Sequence, residues 1–199
     1  MSISSVKTGA IGVSLLAGND FYNPYVYQSI ATASLSSTQA TITFSSIPST
    51  YKHLQIRTMG LTNRGTYGYD GMTFTFNGDT AMNYATHGLN GNGAGVSASG
   101  IGTGTYNYIY FDFANGTTVN NYPGCSIIDI LDYANTNKYK TVRALGGADL
   151  NGTIASVPGR INYISGLWLS TNAITSITFT PVNNSFVQYS HFALYGIKG

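Results

Sequence analysis

The stretch GMTFTFN, Gly71 to Asn77, alternates aromatic with hydroxyl side chains, Phe74 and Phe76 against Thr73 and Thr75. Successive side chains of an extended strand point to opposite faces, so a period of two describes a strand with one buried face and one wet face. The same pattern sets Ile42 and Phe44 against Thr41 and Thr43, and Leu54 and Ile56 against Gln55 and Arg57. Turn residues separate such segments at intervals of about ten, the spacing of sandwiches and barrels. Candidate strands are 27–35, 40–45, 52–59, 71–77, 82–89, 105–113, 125–133, 139–147, 160–169, 176–181 and 186–197. They are too many for a single open sheet. Two packed antiparallel sheets close most of the hydrogen-bonding edges, so the expected fold is all-β, a jelly-roll-like antiparallel β-sandwich. No window sustains i, i+3, i+4 apolar spacing through three turns, so short helical turns at most are expected.

Composition narrows the function classes. Only 8% of the 199 residues are charged, all seven acids are aspartate, and 24 glycines and 16 tyrosines accompany runs of Ser, Thr and Asn. A soluble enzyme of this size ordinarily carries about a quarter charged residues. The balance here is that of a secreted adhesin or virion surface, with solubility supplied by hydroxyls and amides. The net charge of +2 is small and the nine basic residues are scattered, so no footprint for a nucleic-acid backbone exists. Cys125 is the single cysteine, which excludes an intramolecular disulfide framework; a buried thiol is expected there.

The leader SVKTGAIGVSLLAGN, Ser5 to Asn19, has as a whole neither a strand's alternation nor a helix's stripe. Its basic region is thin and its apolar run, residues 10–18, holds two glycines, which argues against a signal peptide, and it is far below the ~20 apolar residues that span a bilayer. No membrane span is expected. Ile3, Val6, Ile11, Val13, Leu15 and Leu16 are apolar anchors that so extended a segment cannot bury against itself. Residues 1–24 are therefore read as an extended N-terminal docking arm that orders on a partner surface, and residues 25–199 as the β-sandwich domain.

Catalytic and metal motifs are thin. The glycine-rich segment 90–104 fails G-x-G-x-x-G, because Val96 stands at the third glycine place; it reads as a long mobile surface loop. Asp129 and Asp132 are the closest carboxylate pair, but their odd spacing on one strand turns them to opposite faces. Asp129 is expected to satisfy a local hydrogen bond and Asp132 to begin the turn DYANTN. His53, His87 and His191 lie on separate strands with no Cys or Glu at ligand spacing, so no metal site is assigned. Asn77, Asp79 and Asn83 of FNGDTAMNY offer oxygen ligands of the kind calcium takes, but Asn-Asp-Gly turns arise anyway from their tolerance of positive φ. No catalytic residue and no cofactor is assigned.

Tyrosine is the remaining anomaly, since it pairs a large apolar face with a polar tip and suits subunit contact or saccharide stacking. Tyr106, Tyr108 and Tyr110, alternating on one strand, are expected to form a subunit interface opposite Ile109 and Phe111. Tyr67 and Tyr69 in one loop, with Asn90 and Asn92 in the glycine-rich segment, are the candidate receptor contacts.

The leader SISSVKTGAIGVSLLAGN, ITFSSIPSTYKHLQIR (42–57), FNGDTAMNY (76–84), IIDILDYANTNKYKTVRAL (127–145) and the ending FALYGIKG (192–199) together resemble a group of tailed-phage virion proteins. The likeness spans nearly the whole chain. It implies a non-enzymatic component on the exterior of the particle, a tail-fibre or adhesin module, and carries no catalytic residues. By analogy with fibres it implies a homotrimer, joined to other virion proteins through the arm and meeting a host surface glycan or protein through its loops. A head-decoration (cement) protein on the capsid and a carbohydrate-binding or depolymerising module are the alternatives.

Overall fold

The computed structural model describes residues 26–65, 69–114, 122–149 and 159–199. The arm of residues 1–24 with its six anchors, and Tyr67, lie outside the described residues. The chain is all-β, with two antiparallel sheets in a sandwich. The larger sheet has eight strands in the order β1 (Tyr27–Ser34), β12 (His191–Ile197), β3 (His53–Gly60), β8 (Gly124–Leu131), β9 (Lys140–Ala148), β10 (Arg160–Trp168), β5 (Tyr84–Gly91) and β6 (Val96–Tyr106). The smaller runs β2 (Ile42–Phe44), β11 (Ile177–Pro181), β4 (Asp70–Phe76) and β7 (Ile109–Ala114). This arrangement is compatible with a jelly-roll-like sandwich.

The period of two places the core as expected. Ile42 and Phe44, Met72, Phe74 and Phe76, Ile109, and Ile177 and Phe179 face inward from the small sheet. Leu54 and Ile56, Ile128 and Ile130, Val142, Ile164 and Trp168, and Phe192 and Leu194 meet them from the large one. Phe179 is the hub of an aromatic cluster, 5.7 Å from Phe74, 6.3 Å from Phe44 and 5.4 Å from Phe192 between ring centroids. Such tilted and edge-on pairs add to what area burial alone supplies. Gly166 on β10 is the complement of a large knob: a Cβ there would stand 2.9 Å from Ile109 Cδ1, so the missing side chain lets β7 seat against the large sheet.

The buried carboxylate Asp70 is paired. Asp70, fully buried, accepts hydrogen bonds from Thr62 Oγ1 at Oδ2 (2.7 Å) and from Asn183 Nδ2 at Oδ1 (2.9 Å), with Arg64 Nη1 3.6 Å from Oδ1. Burial raises its pKa above the ordinary 3.8, against the pull of those donors.

Two expectations are corrected. Segment 90–104 is not a long loop: β5 runs to Gly91, the turn occupies residues 92–95, and β6 is an eleven-residue strand. Gly93 at φ +84° makes the turn, Asn92 Oδ1 caps it by accepting the backbone N–H groups of Ala94 and Gly95, and β5 supplies the ladder for β6. Small residues lower strand propensity without abolishing strand when a neighbouring edge is available to pair with. Nor do Tyr106, Tyr108 and Tyr110 share one strand. The chain leaves the large sheet at Tyr106, turns through Asn107 and Tyr108, and enters the small sheet at Ile109, so alternation does not carry across.

Candidate functional site: an uncovered apolar face

Only one face of the eight-stranded sheet is covered by the four-stranded one, and the strand registers define what the other presents. One row across the outer face reads Met59, Cys125, Gly147, Ile161, Gly91. The next reads Arg57, Ile127, Leu145, Tyr163, Leu89, Ala98. A third, Gln55, Asp129, Arg143, Ser165, His87 and Gly100, is polar. Met59, Ile127, Leu145, Ile161, Tyr163 and Leu89 are between 42% and 59% exposed, a contiguous band of large apolar side chains facing solvent. Scattered exposed apolar residues are ordinary; a contiguous band on one face marks an interaction surface.

Part of this band sinks into an open concavity of about 1010 Å³. Cys125, Ile127, Leu145 and Ile161 line it, and Gly147 and Gly91 leave bare backbone between them. A Cβ on Gly147 would stand 2.7 Å from the Arg160 carbonyl oxygen, so the close approach of the β9 and β10 backbones keeps that position glycine. Arg57, Arg160 and Asp149 supply the charge at the rim. Apolar walls, a backbone floor and few charges suit the binding of a chain segment rich in small and apolar residues.

Cys125 is exposed, contrary to the expected buried thiol. Alternation along β8 turns Gly124, Ser126, Ile128 and Ile130 inward and leaves Cys125, Ile127 and Leu131 outward. The sequence carries a signal for this face. Ile127 beside Ile128 and Ile130 beside Leu131 make a strand apolar on both sides, which ordinarily means burial on both sides. In a two-layer sandwich the outer side of such a strand has nothing of its own to pack on.

The expected receptor contacts divide. Asn92 lines the concavity, although its side-chain oxygen is engaged in the turn. The ring of Tyr69 lies 3.8 Å from the guanidinium of Arg160 on the concavity's rim, and Arg64 Nη1 donates to the Tyr69 carbonyl at 3.1 Å. Asn90 instead accepts from Asn162 Nδ2, its neighbour across the β5–β10 ladder. Tyr106 and Tyr108 stack across the turn at 4.8 Å and are half-buried. Burial pushes the Tyr108 phenol up and Tyr106 adds to the shift. Tyr110 covers Gly71, where a Cβ would stand 2.4 Å from its ring. The three tyrosines are thus partly spent on intramolecular packing.

Asp129 accepts Gln55 Nε2 at 2.8 Å, the local hydrogen bond expected of it. Asp132 lies beyond the end of β8 at φ +49°, begins the turn, and is paired with Lys52 at 2.7 Å and with Lys138. Lys138 first and Lys52 second hold its carboxyl at about 2. Because this folded value is below the ordinary 3.8, the pairing stabilises the fold above that pH and is lost as pH falls through about 2. Asp132→Asn keeps a residue that tolerates positive φ and removes the charge. The variant is expected to show a shallower fall of Tm between pH 4 and pH 2, measured by calorimetry across a pH series.

His53 Nδ1 accepts the Asp132 backbone N–H at 3.0 Å, His191 Nδ1 lies 2.9 Å from Ser34 Oγ, and His87 packs over Gly100. No group of three or more His, Cys, Asp or Glu side chains converges among the described residues. Asn77, at φ +53°, and Gly78, at φ +65°, form the tight turn closed by Asp79 N–H to the Phe76 carbonyl at 2.8 Å. Asn77 Oδ1 accepts from the backbone of Thr175 and Ser176, and Asp79 accepts from Asn83 and Trp168. These oxygens clamp the turn to the body of the sandwich. No helix among the described residues is long and apolar enough to cross a membrane.

Compared with family models, curated proteins and solved structures, the chain matches none.

Proposed function

We propose that this chain is a non-enzymatic structural protein on the exterior of a phage virion, a trimeric tail-fibre or adhesin module anchored by residues 1–24. The observation that carries the reading is the apolar band on the outer face of the large sheet. A sandwich that buries a complete core between its two sheets still leaves Ile127, Leu145, Ile161, Tyr163 and Leu89 in solvent, which is the surface of a subunit rather than of a solitary domain. The low charge agrees with a surface meant to be covered. Its resemblance to tailed-phage virion proteins gives the assembly its kind. Tyr69 and Asn92 beside the concavity support a recognition role at that end of the molecule.

Removing residues 1–24 is expected to abolish incorporation into particles, scored by immunoblotting purified particles after complementing a null phage. Normal incorporation of the truncated chain overturns the anchoring role. Copy number separates the tail reading from capsid decoration: a few copies per particle are expected, and an abundance comparable to the shell protein would transfer the chain to the capsid surface.

A further inference from the structure

We propose that the concavity on the outer face of the large sheet is the seat of residues 11–16 from the N-terminal segment of a neighbouring copy. The inference rests on the assembly reading above and names the partner surface. The walls of the concavity, Ile127, Leu145 and Ile161, are exposed apolar side chains that gain by being covered, and Gly147 and Gly91 leave room for an incoming backbone to approach closely. Residues 10–18, AIGVSLLAG, carry no charge. Although the leader as a whole lacks alternation, Ile11, Val13 and Leu15 stand two apart. An extended backbone sets those three on one side, with Gly12 and Ser14 small on the other side and Leu16 the one large side chain there. This is the complement of an apolar trough with a bare floor.

The point at which the described chain begins agrees. The Tyr27 ring lies 5.9 Å from the guanidinium of Arg57, and Arg57 lines the concavity, so the first described strand carries a side chain on the same outer face. The dozen residues between Leu15 and Tyr27 reach about 40 Å when extended, enough to pass from one copy to the next. Donation between copies, rather than within one, follows from the extent of the band. Tyr163 and Leu89 continue it beyond the residues lining the concavity. A short segment folded back on its own subunit would leave them exposed, whereas a neighbour that brings its segment also brings a surface to cover them. Exchange of an identical segment is a low-cost route to a closed oligomer.

The single native cysteine makes the test direct, because Cys125 lines the concavity and is exposed. In the full-length Val13→Cys chain, mild oxidation is expected to give an interchain disulfide between positions 13 and 125, seen as a reducible dimer band and identified as linked peptides by mass spectrometry. Disulfide formation requires Cα atoms within about 7 Å, so a seated segment favours the 13–125 link over the 13–13 and 125–125 links that random encounter gives equally. The 13–125 link disappears in Val13→Cys/Cys125→Ser, and adding Leu145→Asp, a change on an already exposed side chain, is expected to reduce its yield about tenfold. An intrachain 13–125 link overturns donation between copies. Absence of any such link, with Cys125 labelled by maleimide as fast as a surface thiol, overturns the seat altogether. If that absence accompanies lost incorporation of the 1–24 truncation, the seat is wrong and the virion reading stands. If the interchain link forms while the truncated chain is incorporated normally, the seat stands and the anchoring role falls.

Discussion

Trp168→Ala is expected to destabilise the sandwich by about 3–5 kcal/mol, the range for truncating a fully buried large aromatic. Trp168 is the single tryptophan of the chain and is 1% exposed on the inner face of β10. Its ring stacks on Tyr84 at 6.3 Å with 19° between planes and lies 5.5 Å from Phe76, so it joins the two sheets at one end of the core. The indole Nε1 donates to Asp79 Oδ2 at 2.7 Å, while the Asp79 carboxylate also accepts Asn83 Nδ2 and the Ala81 backbone N–H, each at 2.9 Å. Burial pushes the Asp79 carboxyl up, but these three donors together hold it below its usual value. Tyr84 extends the cluster: its hydroxyl accepts the Phe76 backbone N–H at 3.1 Å, and burial raises the phenol to about 12. Alanine therefore opens a cavity between Tyr84 and Phe76 and frees the FNGD turn from the body. Trp168→Phe fills most of the cavity and removes only the hydrogen bond, so a loss of about 1–2 kcal/mol is expected from it. Urea unfolding followed by circular dichroism measures both, since the fluorescent reporter is lost in each. Equal losses in the two variants would mean that the hydrogen bond, not packing, dominates.

The second large effect is expected at Lys140. This lysine is fully buried at the start of β9, and its ammonium donates to three backbone carbonyls: Asn135 at 2.6 Å, Lys138 at 2.9 Å and Thr171 at 2.9 Å. An ammonium has three protons and no acceptor, so three converging carbonyls satisfy it completely. Two belong to the turn before β9 and the third to the connection after β10, so one side chain fastens two loops to each other. Lys140→Met keeps the apolar stem and removes the donors, leaving three carbonyls without them. Hydrogen bonds to a charged group contribute about 1.5–3 kcal/mol each and are not additive, so a total loss of about 3–5 kcal/mol is expected. Hydrogen exchange should localise the damage, with faster exchange at residues 133–139 and 169–174 before any change in the centres of β3 and β12. Uniformly faster exchange throughout the molecule would indicate a global rather than a local role.

Both effects were hidden in the linear chain for a common reason. Lys140 reads as an ordinary polar residue at the head of a strand, and only the arrival of the 135–138 turn and Thr171 around it gives its charge a place inside. Trp168 shares its parity in RINYISGLW with Asn162 and Gly166, so alternation does not mark it as core, and its bond to Asp79 joins residues 89 positions apart, with no local pattern to announce it. The outer face lies between these cases. The apolar residues of both parities in SIIDIL and RINYISGLW were plain in the sequence, yet alternation could not say which side the second sheet would cover. The tyrosines 106, 108 and 110 mislead for the opposite reason: their period of two is genuine, but the chain crosses from one sheet to the other in the middle of it.

Taken alone, the amino-acid order determined that the chain is an antiparallel β-sandwich, because the period of two and the turn residues act over neighbours and need no knowledge of distant partners. It determined most strands, the inward Phe44, Phe74 and Phe76, the turn at Asn77 and Gly78, and the local roles of Asp129 and Asp132. Tertiary structure alone decided that Cys125 faces solvent, that 96–106 pairs as an edge strand, and that Ile127, Leu145, Ile161, Tyr163 and Leu89 line up into one band. Those outcomes depend on which strands become neighbours and in what register, and both are settled by long-range packing that residue spacing does not encode.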